Sequence, residues 1–393
     1  MKDVYIIDGA RTAFTSFGGS FKNVIASDLG TATAKEALKR SKVDPHQIDH
    51  VFYGNVIQTS ENAAYTARHI GLGADIPEEV PALTLNRLCG SGLQSVISAA
   101  QSILLEESNI SLVGGTENMS MSPYSNFTNR FYGPKMGNFE YIDMLQATLT
   151  DAYTGSGMGL TAEKLAEQYD ISRTEQDVYA MESNKRAEIA VDNGYFSEEI
   201  VPVEINTRKG KITIDEDEHI KRNVSLEEMS KLRPAFRKEG SVTAGNSSGI
   251  NDGAASLIIA SEKAVNDNDL NPMAKIISWG IVGVDPTIMG IGPVPAIKQA
   301  LKRANLTIED IDLFEINEAF AAQYIAVEKE LNLDRSIVNV NGGAIALGHP
   351  VGTSGTRLAL SAAYELRRRE GKYAVVSLCI GGGQGIAMVI ERV

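Results

Sequence analysis

The sequence predicts an α/β protein built from two copies of one unit related by a pseudo-two-fold, with a differently textured segment inserted into the first copy. Three observations predict it. Ala37-Leu38-Lys39-Arg40 returns as Ala300-Leu301-Lys302-Arg303, Ile48-Asp49 as Ile311-Asp312 and Ser91-Gly92 as Ser354-Gly355, all in the single register that relates residue 37 to residue 300. Both sets read in the same order: an amphipathic helix, a short linker, an Ile-Asp lead into an apolar strand, then a Ser-Gly turn entering a helix of small residues. Between them the periodicity lapses. Short matches also arise by chance, and periodic helices favour them; it is the shared register that favours duplication.

Taken in order, Met1-Lys2-Asp3-Val4-Tyr5-Ile6-Ile7-Asp8 carries charges where a secretory leader would be continuously apolar, and it reads as an opening strand. The first half spans 1–118 and resumes over 250–271, an inserted loop domain occupies 119–249, and the second half spans 272–393. Within the insertion, Met119 to Gly159 is rich in Ser, Asn, Gly, Tyr and Met and suits loops, whereas Thr161 to Asn193 reads as helical with Ser172 and Glu175 at capping-box spacing. Ile200 to Ile214 reads as two strands around Arg208-Lys209-Gly210-Lys211. Ala374 to Ile390 is uncharged but contains Gln384 and four glycines, which suits two buried strands around a turn and not a membrane span.

A chain of 393 residues, 43% hydrophobic and 22% charged, can bury two or three packed units. Its net charge of -13 argues against a nucleic-acid partner, since phosphate neutralisation needs a basic face. Two cysteines, Cys89 and Cys379, make no disulfide framework and no metal-type pairing, so a reduced, cytoplasmic protein without a metal is expected.

Cys89 precedes a helix whose apolar positions run through Val96, Ile97, Ala100 and Leu104, and a helix N-terminus is expected to favour its thiolate. A small cysteine wanted for packing is the competing reading. Of five histidines, His46, His50, His69 and His219 read as surface residues. His349 lies in the glycine-dense run Asn341 to Gly355, three residues from Gly352, the position that the repeat places opposite Cys89. A pseudo-two-fold would bring both helix starts to one centre, which makes a Cys89-His349 nucleophile-base couple credible. Cys379 closes an apolar strand before Gly381-Gly382-Gly383; it is structural, or its glycines free N–H groups for an oxyanion. Asn317-Glu318-Ala319-Phe320, taken alone, reads as a helix cap with an acidic first turn.

Together and in this order, these blocks resemble the thiolases: Cys89 in Cys-Gly-Ser-Gly, Asn317-Glu318-Ala319-Phe320, His349 in Gly-His-Pro-Val-Gly-Thr-Ser-Gly, and Cys379 before three glycines. Thr243 to Gly249, Leu232 to Phe236 and Gly9-Ala10-Arg11-Thr12 are similar to further segments of that family. The resemblance implies a five-layered α-β-α-β-α fold from two similar halves plus a loop domain, in homodimers or homotetramers. It implies a reversible Claisen condensation in which two acetyl-CoA give acetoacetyl-CoA plus CoA. His349 would take the proton of Cys89, whose thiolate attacks an acyl-CoA, and Cys379 would remove an α-proton from the second acetyl-CoA. The substrate oxyanion would lie between His349 and a water on Asn317, and the acyl-enzyme oxyanion would face the N–H groups of Cys89 and Gly381. No cofactor is implied, because coenzyme A thioesters are substrates.

Coenzyme A would draw on the window Thr207 to Lys238, where nine Lys/Arg face six Asp/Glu, a solvated charged segment being the competing reading. By resemblance Lys221 or Arg222 would meet the nucleotide, Phe236 the adenine or pantetheine, and Ser248 the pantetheine amide, with Met158, Met289 and Phe320 near the acyl end. Gly157 stands where short-chain members commonly carry a histidine before Met-Gly, whereas Met289-Gly290 is similar to a pocket-narrowing segment of acetoacetyl-CoA enzymes. The alternative is therefore a 3-ketoacyl-CoA thiolase of longer or broader chain range in fatty-acid degradation. A remote alternative is a serine hydrolase at Ser247, prompted by Gly245-Asn246-Ser247-Ser248-Gly249, yet an Asn-Asp-Gly turn and a strand follow where a helix is required.

Overall fold

The computed structural model describes residues 3–208 and 210–393; Met1 and Lys2 of the expected opening strand and Lys209 of the expected hairpin turn lie outside them. A ten-stranded sheet runs through the molecule. Apart from the two-residue strand Thr15–Ser16, its members are β1 (Val4–Arg11), β2 (His50–Gly54), β3 (Ala82–Leu85), β4 (Ile110–Asn118), β5 (Asn251–Ser261), β6 (Ala274–Gly283), β7 (Leu313–Ile316), β8 (Tyr373–Ile380) and β9 (Gln384–Arg392). They lie in the order β7-β8-β9-β6-β1-β5-β4-β2-β3. The principal helices are α1 (Ala26–Ser41), α2 (Ser91–Leu104), α3 (Arg173–Asp192), α4 (Pro293–Ala304), α5 (Ala321–Leu331) and α6 (Ser354–Arg369).

The duplication read from the sequence appears in these elements. Helices α1 and α4, strands β2 and β7, helices α2 and α6, and strands β4 and β8 correspond in order, and the starts of α2 and α6 are the repeated Ser91 and Ser354. The first strands of the halves, β1 and β6, meet antiparallel through Tyr5–Lys275 and Ile6–Ala274, as a two-fold between them requires.

Strand alternation sorts the core into layers. Val113 of β4 and Val376 of β8 turn toward α2 and α6, in one cluster with Leu93, Val96, Ile97, Leu358 and Leu360. Their neighbours Leu112 and Val375 face outward, Leu112 against Ala34 and Leu38 of α1, Val375 against Ile297 of α4 and Ile325 of α5. Helix, sheet, paired helices, sheet and helix thus stack in five layers. Burial on both faces explains the near-continuous apolar run of β8 and the apolar stretches 112–113 of β4 and 257–260 of β5.

The middle layer is set by contact between backbones. A Cβ on Gly92 would lie 2.7 Å from the amide nitrogen of Thr356, and one on Gly355 would collide with the amide nitrogen of Leu93. Only glycine at both repeated positions lets α2 and α6 cross so closely, and Thr356 Oγ1 donates to Gly92 O across the crossing at 3.0 Å.

From β4 the chain enters residues 119–250, which carry short hairpins, the helix Met158–Gln168 and α3, before returning in β5. Ser172 caps α3 with both hydrogen bonds of a capping box to Glu175, as its spacing predicts. The strands Val203–Thr207 and Gly210–Ile214 form the expected hairpin.

Gly355→Ala should lower stability by about 1–3 kcal/mol, the usual cost of forcing extra volume into a packed interior. Denaturant titration checks this, and an unchanged midpoint would show that α2 and α6 can separate without penalty.

Candidate active site

The carboxyl ends of the parallel pairs β2–β4 and β7–β8 converge on the N-termini of α2 and α6, where the two halves meet. Cys89 enters from the first half on a strained turn. Leu88 adopts φ +47°, a conformation costly for a branched side chain, and is held by its N–H to Asn86 Oδ1 at 2.8 Å and by Ser91 Oγ on its carbonyl at 2.7 Å. Arg87 braces the turn against the second half, donating to Gln94 Oε1 at 2.9 Å and to Gln384 Oε1 at 3.1 Å.

His349 enters from the second half. Gly348 takes φ +98° with no room for a Cβ beside Asn251, and Asn251 Oδ1 accepts the His349 N–H at 3.1 Å. Ser354 Oγ lies 3.0 Å from the Pro350 carbonyl, to which it donates, and 2.6 Å from His349 Nδ1. With its single hydrogen on the carbonyl, the serine accepts from Nδ1–H, which leaves Nε2 with a lone pair. Asn317 Nδ2 sits 3.4 Å from that Nε2. The buried Asn317 Oδ1 finds no partner among the described residues, so it keeps hydrogen-bonding capacity for a ligand.

Cys379, at the end of β8, is buried and close enough to Cys89 for the two sulfurs to interact electrostatically. After it, Gly382 and Gly383 take φ +78° and +83°, and the turn they make delivers the Gly381 N–H to the sulfur of Cys89. The chain thus brings Cys89, His349, Asn317, Cys379 and Gly381 together from four separate segments.

The electrostatics overturn one expectation. Burial pushes the Cys89 thiol up to about 11 against the pull of the Gly381 and Cys89 N–H groups, so the helix start does not yield a resting thiolate. Burial pushes the Cys379 thiol up further, reinforced by Cys89. Burial, assisted by Arg357, holds His349 down to about 3. At rest the thiol and the imidazole are both neutral, a nucleophile that needs a base and a base free to act.

Beside this centre, Met289, Phe320 and Cys379 share one apolar cluster, with Met158 packed against it. Phe236 lies edge-on to Phe320 with ring centroids 5.9 Å apart and covers Gly159, whose Cβ would strike its ring. Ser248 N–H donates to Ala319 O at 3.0 Å, which places it beside Phe320. A cavity of about 250 Å³ opens along Val56, Leu88, Met158, Gly381 and Gly382. Arg222 points elsewhere, onto Asp192 at 2.9 Å and Glu188 at 3.7 Å of α3, with Lys221 near His219.

Three other readings are corrected. Asn317-Glu318 is not a helix cap: α5 starts at Ala321, and buried Glu318 accepts from Tyr179, Ser183, Asn339 and the Ile345 N–H. His219 is not a surface residue, for it packs against Gly249, and burial holds it down to about 4. Ser247 is buried and donates to Thr243 O at 2.7 Å, with β5 following, so no nucleophile elbow forms. Sequence reasoning missed Arg87 and Asn251, whose roles follow only from contacts across the two halves, and Ser354, whose role follows from the fold of the His349 loop. Their one signal is polarity inside otherwise small-residue or apolar runs.

Family models described as Thiolase, N-terminal domain, and Thiolase, C-terminal domain, match residues 4–263 and 270–392. The human protein named 3-ketoacyl-CoA thiolase, mitochondrial, is 51% identical over 392 residues, covering 100% of this chain and 98% of the relative. An acetyl-CoA acetyltransferase of Shinella zoogloeoides is 47% identical over 387 residues, 98% of each chain. The crystal structure of human mitochondrial 3-ketoacyl-CoA thiolase in complex with CoA superposes with a TM-score of 0.97 at 49% identity, covering 100% of this chain and 98% of that one. The mitochondrial relative overturns the cytoplasmic expectation: free cysteines and a charged opening strand report a reducing environment, which more than one compartment provides.

If His349 takes the Cys89 proton, His349→Ala should slow alkylation of Cys89 by iodoacetamide by about 10²–10⁴-fold, the range of general-base contributions. An unchanged alkylation rate at neutral pH removes that role.

Proposed function

Since the chain belongs to the thiolase family, we propose that it interconverts 3-ketoacyl-CoA plus CoA with acetyl-CoA plus a shortened acyl-CoA, through an acyl-thioester on Cys89. The observation that carries this reading is the Gly381 N–H directed at the Cys89 sulfur, with Cys379 close enough to act on that sulfur.

In the condensing direction His349 Nε2 takes the Cys89 proton as sulfur attacks the acyl-CoA carbonyl, and CoA leaves as a thiol with that proton. The acyl oxygen faces the N–H groups of Cys89 and Gly381, which donate most strongly as charge develops on it. Cys379 then passes its thiol proton to His349 Nε2 and, as thiolate, removes an α-proton from acetyl-CoA, while the His349 Nε2–H so formed and a water on Asn317 stabilise the enolate oxygen. The enolate carbon attacks the acyl carbon, the carbon–carbon bond forms, and Cys89 leaves as the soft, stable anion that makes this step reversible. His349 then returns its proton to Cys89 and Cys379 is again a thiol, so the proton count closes without a cofactor.

Chain length rests on the acyl-end residues. At Gly157 a side chain would find open space, its nearest neighbours being Leu149 O at 3.8 Å and Thr150 Oγ1 at 4.0 Å. Unfilled room at that position, beside Met158 and the cavity along Leu88 and Gly381, supports a range extending beyond acetoacetyl-CoA. The second reading, an acetyl-CoA C-acetyltransferase confined to acetoacetyl-CoA, is favoured by Met289, buried against Phe320 and Cys379. Phe236 and Ser248 suit the adenine-pantetheine arm, while Arg222 would have to leave Asp192 or share it to meet a phosphate. An oligomer, dimer or tetramer, fits the exposed Tyr124, Phe127, Phe131 and Tyr132 of the inserted segment.

Mass spectrometry after mixing with acetyl-CoA should find an acetyl group on Cys89 in the wild type and in Cys379→Ala, with carbon–carbon bond formation lost only in the variant. An acetyl-free Cys89 removes the acyl-enzyme. Thiolysis of a longer 3-ketoacyl-CoA at a rate comparable with acetoacetyl-CoA is expected, and activity restricted to acetoacetyl-CoA would favour the second reading.

A further inference from the structure

Glu117 is fully buried near the end of β4 and has no part in the chemistry above. Its carboxylate accepts four hydrogen bonds. Oε1 takes the Ile57 N–H at 3.0 Å and Asn55 Nδ2 at 3.2 Å, and Oε2 takes the Val56 N–H at 3.0 Å and the Gly352 N–H at 2.9 Å. The first three donors belong to the loop after β2, in the first half. The fourth belongs to the second half, three residues after His349.

Both attachments touch the reacting pair. Cys89 packs with Val56, Ile57 and Val351, and it feels the charge of Glu117. A Cβ on Gly352 would lie only 2.5 Å from Glu117 Oε2, so glycine is needed for the loop to settle on the carboxylate. Every hydrogen-bonding neighbour is a donor. An ionised carboxylate satisfies all four with its lone pairs, whereas a protonated one would turn a donor on donors.

We infer that Glu117 is a positioning residue: its ionised carboxylate clasps the His349 loop to the loop flanking Cys89 and thereby fixes the geometry of proton transfer between them. This rests on the reading of Cys89 and His349 as nucleophile and base. Burial, with Asp252 on the adjacent strand adding to it, pushes Glu117 up to about 7 against the pull of its N–H bonds. The ionisable groups that act on its charge are Asp252 on β5 and Cys89 on its turn; the loop after β2 and Gly352 offer it amides. The sign follows: the clasp is complete above about pH 7 and loosens as protonation proceeds below it. His349, held down to about 3, produces no break there.

The experiment compares the wild type with E117Q and E117D. In the wild type kcat should fall as pH drops through about 7. E117Q should lose roughly 10²-fold in kcat, the scale of a displacement of about 1 Å between reacting groups, with KM for CoA little changed, and the break near neutral pH should vanish. E117D, which keeps a carboxylate, should recover part of kcat and restore a break. Loss of kcat in E117Q with the break retained, or matched by a proportionate loss of folded protein, would make Glu117 merely structural and overturn the inference. Should E117Q not fold, the wild type decides: iodoacetamide alkylation of Cys89 should show a break at the same pH, and a profile without one overturns the inference. Failure of wild-type Cys89 to accept an acetyl group would sink the functional reading instead, whereas normal acetylation with an unshifted E117Q profile sinks this inference alone.

Discussion

The structure depends on the place where Gly92 and Gly355 let α2 and α6 touch backbone to backbone. Two repeated Ser-Gly pairs enter the two helices, and absence of a Cβ on both lets the Thr356 and Leu93 amides approach the opposite helix. With that separation fixed, both halves of the sheet can pack on the paired helices, and Val113 and Val376 share one core. A larger residue at either position would push apart the helix starts that carry the Cys89 turn and the His349 loop. The glycines matter for what they admit, which is backbone in van der Waals contact.

That crossing brings the reactive segments near one another, and buried polar contacts then set their positions. The His349 loop is held at three of its N–H groups: Ile345 by Glu318, His349 by Asn251 and Gly352 by Glu117. Glu117 and Asn251 come from the first half, so the second half's base is positioned largely by its counterpart. Glu318 also takes Tyr179 and Ser183 of α3, which ties the inserted segment to the same loop. Buried carboxylates are costly unless their lone pairs are met by donors, and here each is met by four.

Burial determines the reactivity as well as the geometry. It raises both thiols and lowers the imidazole, which leaves a resting site without internal charge separation. The directed N–H groups of Cys89 and Gly381 therefore act mainly when an acyl oxygen gains charge. A site closed to water strengthens exactly those interactions that form during reaction, provided the donors are fixed beforehand by turns such as Gly382-Gly383.

The sequence by itself determined the duplicated architecture, because helix and strand periodicities are local and the repeat keeps one register through α2 and α6. It also determined Cys89, His349 and Cys379 as candidates, since cysteine and histidine are scarce and their glycine-rich surroundings are specific, whereas Asn317 came only with the ordered set of blocks that resembles a family. It misread the state of Cys89, because a helix start is visible locally whereas enclosure by Val56, Ile57, Met119 and Val351 requires three distant segments. It misread Glu318 as the acid of a helix's first turn for the same reason: its four donors lie on α3 and on the loop leading to His349. Glu117 drew no attention at all within its strand. Only the tertiary structure decided which polar groups are buried and which donors meet them, because desolvation depends on everything that surrounds an atom and not on its neighbours along the chain.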